Sequence, residues 1–518
     1  MLGNMAEPAY EWEYSVIQES RFDRQTQAAE SVDKLLETIL EDIVNAAKMP
    51  LDDWSALNQS LLIPLTIPVS DGREYRITQT GAEAAHKLTE QMWEQREDIR
   101  QRISLQAFKQ LSFRAIGQSI HNAVAQLPEE NANAEPSDEI EPVFYGVLAA
   151  DYRKTLEELA EKVVREVNQH IPCELFHANQ SVPAFSVGPV EFRPRSDWIA
   201  QFVKDSEARN IVQKVERREL TIEDIHRRGA EPENGRALRD ARTVISCLRG
   251  FSWVGTVRTA GHEFGQSHTK ASILVGLAID AVGLRFHSED ARRFTKSGRA
   301  HLDVEYRLAT SVDDGKLFHG SSANLPGLGS VPSILAERIR EEREFLDAAG
   351  RILNVYAKYR QEGGAPVLVE KWVNALHWVG EARREVQDFM AVVKYGCAVD
   401  GISGGSGDSR AITKFVKAAL EPREDGEQRS GTLSVADAVK MVYEKGRNRL
   451  AHGGTPGLFE DFSKPRRVGD VLLASLFYPV TLALAELIAE QSPALTTLGR
   501  KNAFCALKAR LQNKFVGS

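Results

Sequence analysis

The sequence is poor in cysteine and lacks the short motifs that mark common catalytic and metal sites. Its four cysteines form no CxxC pair and are widely separated, at Cys173, Cys247, Cys397 and Cys505. Such spacing argues against a disulfide framework or a zinc knuckle and fits a reducing cytoplasm. His262 and His268 are separated by five residues, which is too many for the helical His pair of zinc proteases. We therefore expect neither a metal nor a cofactor.

Long hydrophobic runs are also scarce. The most apolar stretch, Val471 to Ala485, is too short to span a bilayer and contains Pro479, so it predicts a buried helix. Glu7 and Glu11 lie where a signal peptide would have basic and then apolar residues. We expect a soluble, cytoplasmic protein with no membrane partner.

Helical patterns dominate both ends of the chain. Between Val32 and Val44 apolar residues recur at spacings of three and four. A similar face from Leu156 to Val167 predicts a helix that ends at Pro172. Residues 128–142 carry several acids and no base among small residues and prolines, which predicts a linker.

The middle of the chain has a different pattern. Alternating β-branched, aromatic and polar residues predict strands at Phe185–Phe192, Trp253–Arg258 and Leu302–Arg307. A chain of 518 residues is long enough for several domains. We predict a mainly α protein in three parts, listed by residue number: a helical N-terminal region over 1–175, a small α+β middle domain over 176–330 and an all-helical bundle over 331–518.

Charge is distributed unevenly. The whole chain has a formal net charge of −8, yet residues 440–518 contain twelve Lys and Arg against six Asp and Glu. A basic segment on an acidic protein predicts a region that meets an anion such as RNA. A solvated surface with surplus Lys and Arg remains the alternative on charge alone.

The segment from Arg447 to His452 is the strongest candidate site. Metal-independent RNA cleavage requires proton transfer, which histidine performs near neutral pH, and a cation for the phosphate, which arginine supplies. On a regular helix Asn448 and Arg449 lie near His452, whereas Arg447 is about 140° away. Arg449 is therefore a rival for the phosphate role. Arg165 and His170 have the same spacing and are interpreted as surface helix residues.

Three segments together resemble one known family. They are Lys371–Ala382 with its Trp-x-x-Glu-Ala run, Tyr395–Asp400, and Val442–Gly453 with the string Arg-Asn-x-x-x-His-Gly. This C-terminal third of the chain resembles the HEPN superfamily, and within it the Apea-like branch.

The resemblance implies a small helical bundle that forms a homodimer with a composite site, which cuts RNA without metal and leaves a 2′,3′-cyclic phosphate. It further implies that Arg447 stabilises phosphate, Asn448 orients the scissile group and His452 transfers protons. Apea-like members often carry an acid, usually glutamate, where Asp400 stands. Many members act in bacterial defence against phage or as toxins.

Our leading hypothesis is a latent endoribonuclease that residues upstream of the bundle restrain until a trigger arrives. That trigger would be a phage component, a nucleotide or a protein. Four further cations are expected to contact RNA phosphates: Arg449, Lys464, Arg466 and Arg467.

The alternative is a non-catalytic HEPN dimerisation module with a ligand- or protein-sensing middle domain. In that case Arg447 would pair with an acid such as Glu444 or Asp461. A third possibility is that the α+β middle domain is itself an enzyme, although it carries no recognisable catalytic motif.

Overall fold

The computed structural model describes the greater part of the chain. The described residues are 30–59, 66–69, 72–125, 142–177, 181–229, 235–299, 303–310, 317–329, 332–358, 366–404, 407–420, 433–449, 460–492, 495 and 499–513. They fall into two compact units, the first being Met1–Arg100 with Ser104–Lys162 and the second Gln101–Ile103 with Val163–Ser518. Helices predominate and a small part is sheet, so the predicted fold class, mainly α with a small α+β part, is confirmed.

The first unit is helical apart from one short hairpin. Its elements are α1 (Val32–Lys48), α2 (Leu51–Gln59), β1 (Thr66–Pro68), β2 (Glu74–Arg76), α3 (Gln79–Gln95), α4 (Glu97–Arg100), α5 (Leu105–Ala125) and α6 (Pro142–Val163). The predicted periodicity places Leu36 and Ile39 of α1 in the core. Buried Asp42 accepts hydrogen bonds from the Thr78 amide and hydroxyl, at 2.6 and 2.5 Å, and so holds the start of α3. The predicted linker at 128–142 lies almost wholly outside the described residues.

The second unit begins with a sheet interrupted by helices. Its sheet-region elements are β3 (Arg165–Glu174), β4 (Phe185–Val187), β5 (Val190–Pro194), α7 (Arg195–Phe202), α8 (Ser206–Glu216), α9 (Ile222–Gly229), α10 (Arg236–Leu248), β6 (Trp253–His262), α11 (Phe264–Gly283), α12 (Ser288–Ala291), β7 (Thr295–Lys296), β8 (Asp303–Thr310) and β9 (Leu317–Asn324). Five strands pair in the order β4-β5-β6-β3-β7, and β8 and β9 form a separate antiparallel hairpin.

Strand β3 corrects one prediction. The helix expected to end at Pro172 instead ends at Val163, and residues Arg165–Glu174 pair antiparallel with β6. Alternate residues Gln169, Ile171 and Cys173 are buried, which is the period of two that a strand requires. The sheet therefore begins before residue 175, where the N-terminal region was predicted to end.

Helices continue to the C-terminus of the second unit. They are α13 (Pro332–Glu341), α14 (Arg343–Lys358), α15 (Val367–Arg384), α16 (Asp388–Ile402), α17 (Ser409–Leu420), α18 (Val435–Val439), α19 (Lys440–Asn448), α20 (Ser463–Ala489) and α21 (Arg500–Asn513). No strand lies among the described residues after β9, as the sequence predicts.

The sheet and the helical bundle share one core. A single cluster of buried apolar residues runs from Ile171 in β3 to Leu511 in α21. Gly188, in the β4–β5 turn at φ +59°, lies so close to Gly350 of α14 that a Cβ there would be 2.3 Å from the Gly350 carbonyl oxygen. The structure thus joins the predicted middle and C-terminal parts in one unit, because apolar faces of both are buried against each other.

Helix α20 is the core helix of the bundle. Its Thr481 hydroxyl accepts a hydrogen bond from the buried Trp372 indole at 2.9 Å, and its Asp470 pairs with buried Arg383 at 2.6 Å. Among the described residues this is the one helix long and apolar enough to cross a membrane, but 56% of its most apolar window is buried. Such burial is typical of the central helix of a soluble bundle.

Candidate functional site

The candidate segment lies on a π-helix. Ser434 caps α18, its hydroxyl accepting from the Asp437 amide at 3.1 Å, and the chain then passes into the i→i+5 ladder of α19. The last bond of that ladder runs from the Arg449 amide to the Glu444 carbonyl. π-helical turns are rare and are frequently found at functional sites.

The α19 helix packs very closely on α16. A Cβ at Gly396 would lie 2.3 Å from Cβ of Arg447, and one at Gly446 would lie 2.3 Å from Val392. Glycine on each helix therefore permits a backbone approach that any side chain would prevent. This contact fixes where the Arg447 side chain leaves the helix.

Arg447 and Asn448 are brought together. The Arg447 Nη1 donates to Oδ1 of Asn448 at 2.9 Å and to the Tyr443 hydroxyl at 3.4 Å. Its guanidinium carbon lies 5.5 Å from the centroid of the Tyr443 ring, a cation–π distance. The side chain is half-buried, so these neutral partners hold a cation at the rim of the bundle.

Tyr443 is a site residue that the sequence reasoning did not single out. The Tyr443 ring is buried. Burial is the main cause that raises the pKa of its hydroxyl, the Asp400 carboxylate raises this pKa further, and the Arg447 cation lowers it. The hydroxyl therefore remains protonated at neutral pH. The available signal was its spacing of four from Arg447, which predicts neighbouring side chains on a helix.

Asp400 lies beside this group. Its Oδ1 accepts a hydrogen bond from the Gly407 amide at 3.1 Å, which closes the turn after α16. Gly407 has φ +68°, and a Cβ there would lie 4.0 Å from the Tyr443 hydroxyl. Asp400 thus acts electrostatically on Tyr443 rather than through a contact with Arg447.

The acids proposed as structural partners of Arg447 are engaged elsewhere. Glu444 accepts from the Ser409 hydroxyl at 2.5 Å, and Asp461 accepts from the Ser463 amide at 2.8 Å. Within the part of the chain that the structure describes, Arg447 makes no ion pair.

Arg449 points to a different partner. Its two guanidinium nitrogens bind both oxygens of Glu460, at 2.6 and 2.8 Å, and this pairing raises its pKa. The pair is exposed and joins the two residues that flank residues 450–459. The ion pair thus links the end of α19 to the residues just before α20.

The basic cluster at the start of α20 divides into two kinds of residue. Arg466 binds Asp388 at 2.7 Å and the Glu385 carbonyl at 2.6 Å, so it satisfies the end of α15. Its guanidinium is therefore already bound within the bundle, and its expected role as an RNA contact stays a prediction. Lys464 and Arg467 are exposed.

His452 lies outside the described residues, together with Leu450 and Ala451.

The other arginine–histidine pair of the same spacing was interpreted as two surface helix residues, and the structure places it on a strand. Arg165 and His170 lie on strand β3, where His170 packs against Trp198 and Phe202.

No group of three or more His, Cys, Asp or Glu that could hold a metal ion occurs among the residues placed by the structure.

Comparison with known proteins finds no family model, no curated protein and no solved structure that matches the chain.

Proposed function

We propose that the protein is a metal-independent endoribonuclease of HEPN type, with Arg447, Asn448 and His452 as its catalytic residues. The observation that carries the proposal is the state of Arg447: a half-buried guanidinium held by neutral groups and without an acidic partner among the described residues. A cation held in this way can accept a phosphate without first breaking an ion pair.

The reaction would proceed by attack of the ribose 2′-oxygen on the adjacent phosphorus. The new 2′-O–P bond forms as the P–O5′ bond breaks, which leaves a 2′,3′-cyclic phosphate and a free 5′-hydroxyl. His452 would transfer a proton in this exchange, and Arg447 would stabilise the charge on the non-bridging oxygens. Asn448 would orient the scissile group, and its 2.9 Å hydrogen bond would also hold the guanidinium in position.

The remaining features of the proposal follow from the resemblance and from charge. Two copies of the chain would form a homodimer with a composite site, and a trigger would release the activity in phage defence or a toxin-like role in the cytoplasm. Lys464 and Arg467 are the exposed cations that support RNA binding beside the site.

A non-catalytic interaction module is the second candidate. This candidate is favoured because Arg449 and Arg466, which were expected to contact RNA, both bind partners within the chain. In that case the bundle would serve for dimerisation and the sheet region would sense a ligand or a protein.

The two candidates are separated by Arg447→Ala and Asn448→Ala, assayed on transfer RNA in EDTA. The matched control is Arg410→Ala, which removes an exposed arginine from α17. Loss of cleavage in the first two variants alone supports the endoribonuclease. Equal cleavage by all three and the unaltered protein would reject this site.

A further inference from the structure

The helices between β5 and β6 border a cavity of about 520 Å³ that lies outside the shared core. These helices, α7 to α10, have a separate cluster of buried apolar residues. The cavity lies against that cluster, and all four helices contribute branched aliphatic side chains to its lining: Ile199, Val212, Val215, Ile222, Ile245 and Leu248. Its volume is within the range of about 300–1,000 Å³ that is usual for ligand pockets.

The described walls of this cavity are aliphatic and contain no aromatic side chain. The aromatic residues of α7, Trp198 and Phe202, pack against each other and against His170 instead. A flat ring would therefore find no stacking partner on these walls. A hydrocarbon chain needs none, because it gains free energy by leaving water for any apolar surface. The walls therefore favour an aliphatic ligand.

The lining ends in charged residues at the protein surface. Arg195 is already engaged, because its guanidinium binds Glu216 at 2.6 Å and donates to the Leu248 carbonyl at 3.3 Å. Arg218 and Arg249 are exposed, and among the described residues neither guanidinium has a hydrogen bond or an ion pair. A guanidinium can bind a carboxylate through two parallel hydrogen bonds. Two cations are thus placed to bind an anionic head group.

Glu223 is the remaining acid of the described lining. It lies in the first turn of α9, where the positive end of the helix dipole stabilises a carboxylate. Its charge is therefore partly compensated within the protein. The rim keeps an excess of positive charge for an incoming anion.

Arg218 has a backbone conformation that arginine seldom adopts. Its φ is +61°, in the left-handed region, and it lies just past the C-terminus of α8, where glycine is the usual residue. Its amide donates to the Val215 carbonyl at 2.9 Å in the turn that ends the helix. Glycine would form the same turn with less strain. The turn therefore does not require the arginine side chain that it places at the cavity.

We propose that this cavity binds a medium-chain aliphatic carboxylate of the fatty-acid type. The hydrocarbon chain would lie against Val212, Ile245 and the other aliphatic walls, and the carboxylate would accept hydrogen bonds from Arg218 and Arg249. The site is separate from the proposed catalytic residues, so its test needs no RNA cleavage.

Isothermal titration calorimetry of the full chain with decanoate, below the concentration at which decanoate forms micelles, measures this binding. We expect one site per chain. Decanoate should bind more tightly than 1-decanol, which has a chain of the same length and no charge. Arg218→Gly and Arg249→Ala should each weaken decanoate binding about fivefold, as expected for an exposed ion pair. Val215→Trp, whose larger side chain fills the cavity, should abolish the binding.

Arg217→Ala is the matched control, because Arg217 is exposed beside Arg218 and does not line the cavity. It should bind decanoate as the unaltered protein does. Arg218→Gly relieves the strained backbone, so it should fold at least as stably as the unaltered protein. It therefore remains a test even if Val215→Trp misfolds. The proposal is overturned if decanoate does not bind, if 1-decanol binds as tightly, or if Arg218→Gly binds decanoate with unaltered affinity.

Discussion

The guanidinium of Arg447 lies over the ring of Tyr443, with 5.5 Å between its carbon and the ring centroid, and also donates to the hydroxyl of that ring at 3.4 Å. A buried aromatic residue thus carries the cation that the proposed chemistry requires. Since Asn448 provides the second hydrogen bond, the position of the guanidinium is determined by two neutral groups on its own π-helix.

The Tyr443 hydroxyl is predicted to tune the activity without being essential. In Tyr443→Phe the ring remains under Arg447 and one hydrogen bond is lost, so RNA cleavage should fall about tenfold, the equivalent of ~1.4 kcal/mol. Initial rates of transfer RNA cleavage measure this. Tyr478→Phe, which removes the hydroxyl that donates to Glu344, is the matched control and should cleave normally. Equal rates for the two variants would contradict a positioning role for the Tyr443 hydroxyl.

The close contact between α16 and α19 predicts a difference between two glycines of α16. Gly396→Ala would place its Cβ 2.3 Å from Cβ of Arg447, so we expect the free energy of unfolding to fall by about 1–3 kcal/mol. At Gly401 a Cβ would lie 3.7 Å from Ala375, an ordinary contact, and Gly401→Ala should not destabilise the protein. Urea denaturation of both variants tests this, and equal midpoints would contradict the observed helix contact.

His170 predicts a loss of stability in mild acid. Burial lowers its pKa to about 4, and its Nδ1 accepts from the Trp198 indole at 3.0 Å, which requires the neutral ring. In the unfolded chain the pKa is about 6.5. Between these values the unfolded state binds the extra proton, so the stabilising contribution is present above pH ~6.5 and is lost as pH falls to ~4.

The measurement is the unfolding free energy of the protein and of His170→Asn between pH 4 and 7.5. Asparagine can place an acceptor near the position of Nδ1 but does not titrate, so the variant should lose less stability in acid. His268→Ala, which removes an exposed histidine, should keep the full dependence. Identical pH profiles for all three proteins would show that His170 is not the group responsible.

Arg466 is predicted to stabilise the folded protein. Arg466→Ala removes charge-assisted bonds to Asp388 and to the end of α15, so the unfolding free energy should fall by about 1–3 kcal/mol. Arg467→Ala changes an exposed neighbour and should stay within about 0.5 kcal/mol of the unaltered protein. Thermal unfolding distinguishes the two. If Arg466→Ala is as stable as the unaltered protein but binds RNA more weakly, the stabilising role is contradicted and the RNA contact expected from the sequence is supported.

Helical periodicity predicted α1 and the helical C-terminal part because their apolar spacing of three and four is strong. Strand β3 was missed because Val163 and Val167 extend the apolar face of α6, so a helical pattern runs into the strand. The π-helix leaves no comparable signature, since its hydrogen-bond register depends on packing against α16. The Arg466 guanidinium binds a backbone carbonyl 81 residues away, and a local sequence pattern does not predict such a distant partner.

The most direct test of the central claim compares the unaltered protein with His452→Ala on bulk transfer and messenger RNA in EDTA, with analysis of the fragment ends. The account predicts cleavage by the unaltered protein alone, leaving 2′,3′-cyclic phosphates, while both proteins fold and form the same oligomer. Undiminished cleavage by His452→Ala would contradict it. It would also be contradicted if neither protein cleaves RNA and expression of the unaltered protein during phage infection does not harm the cell.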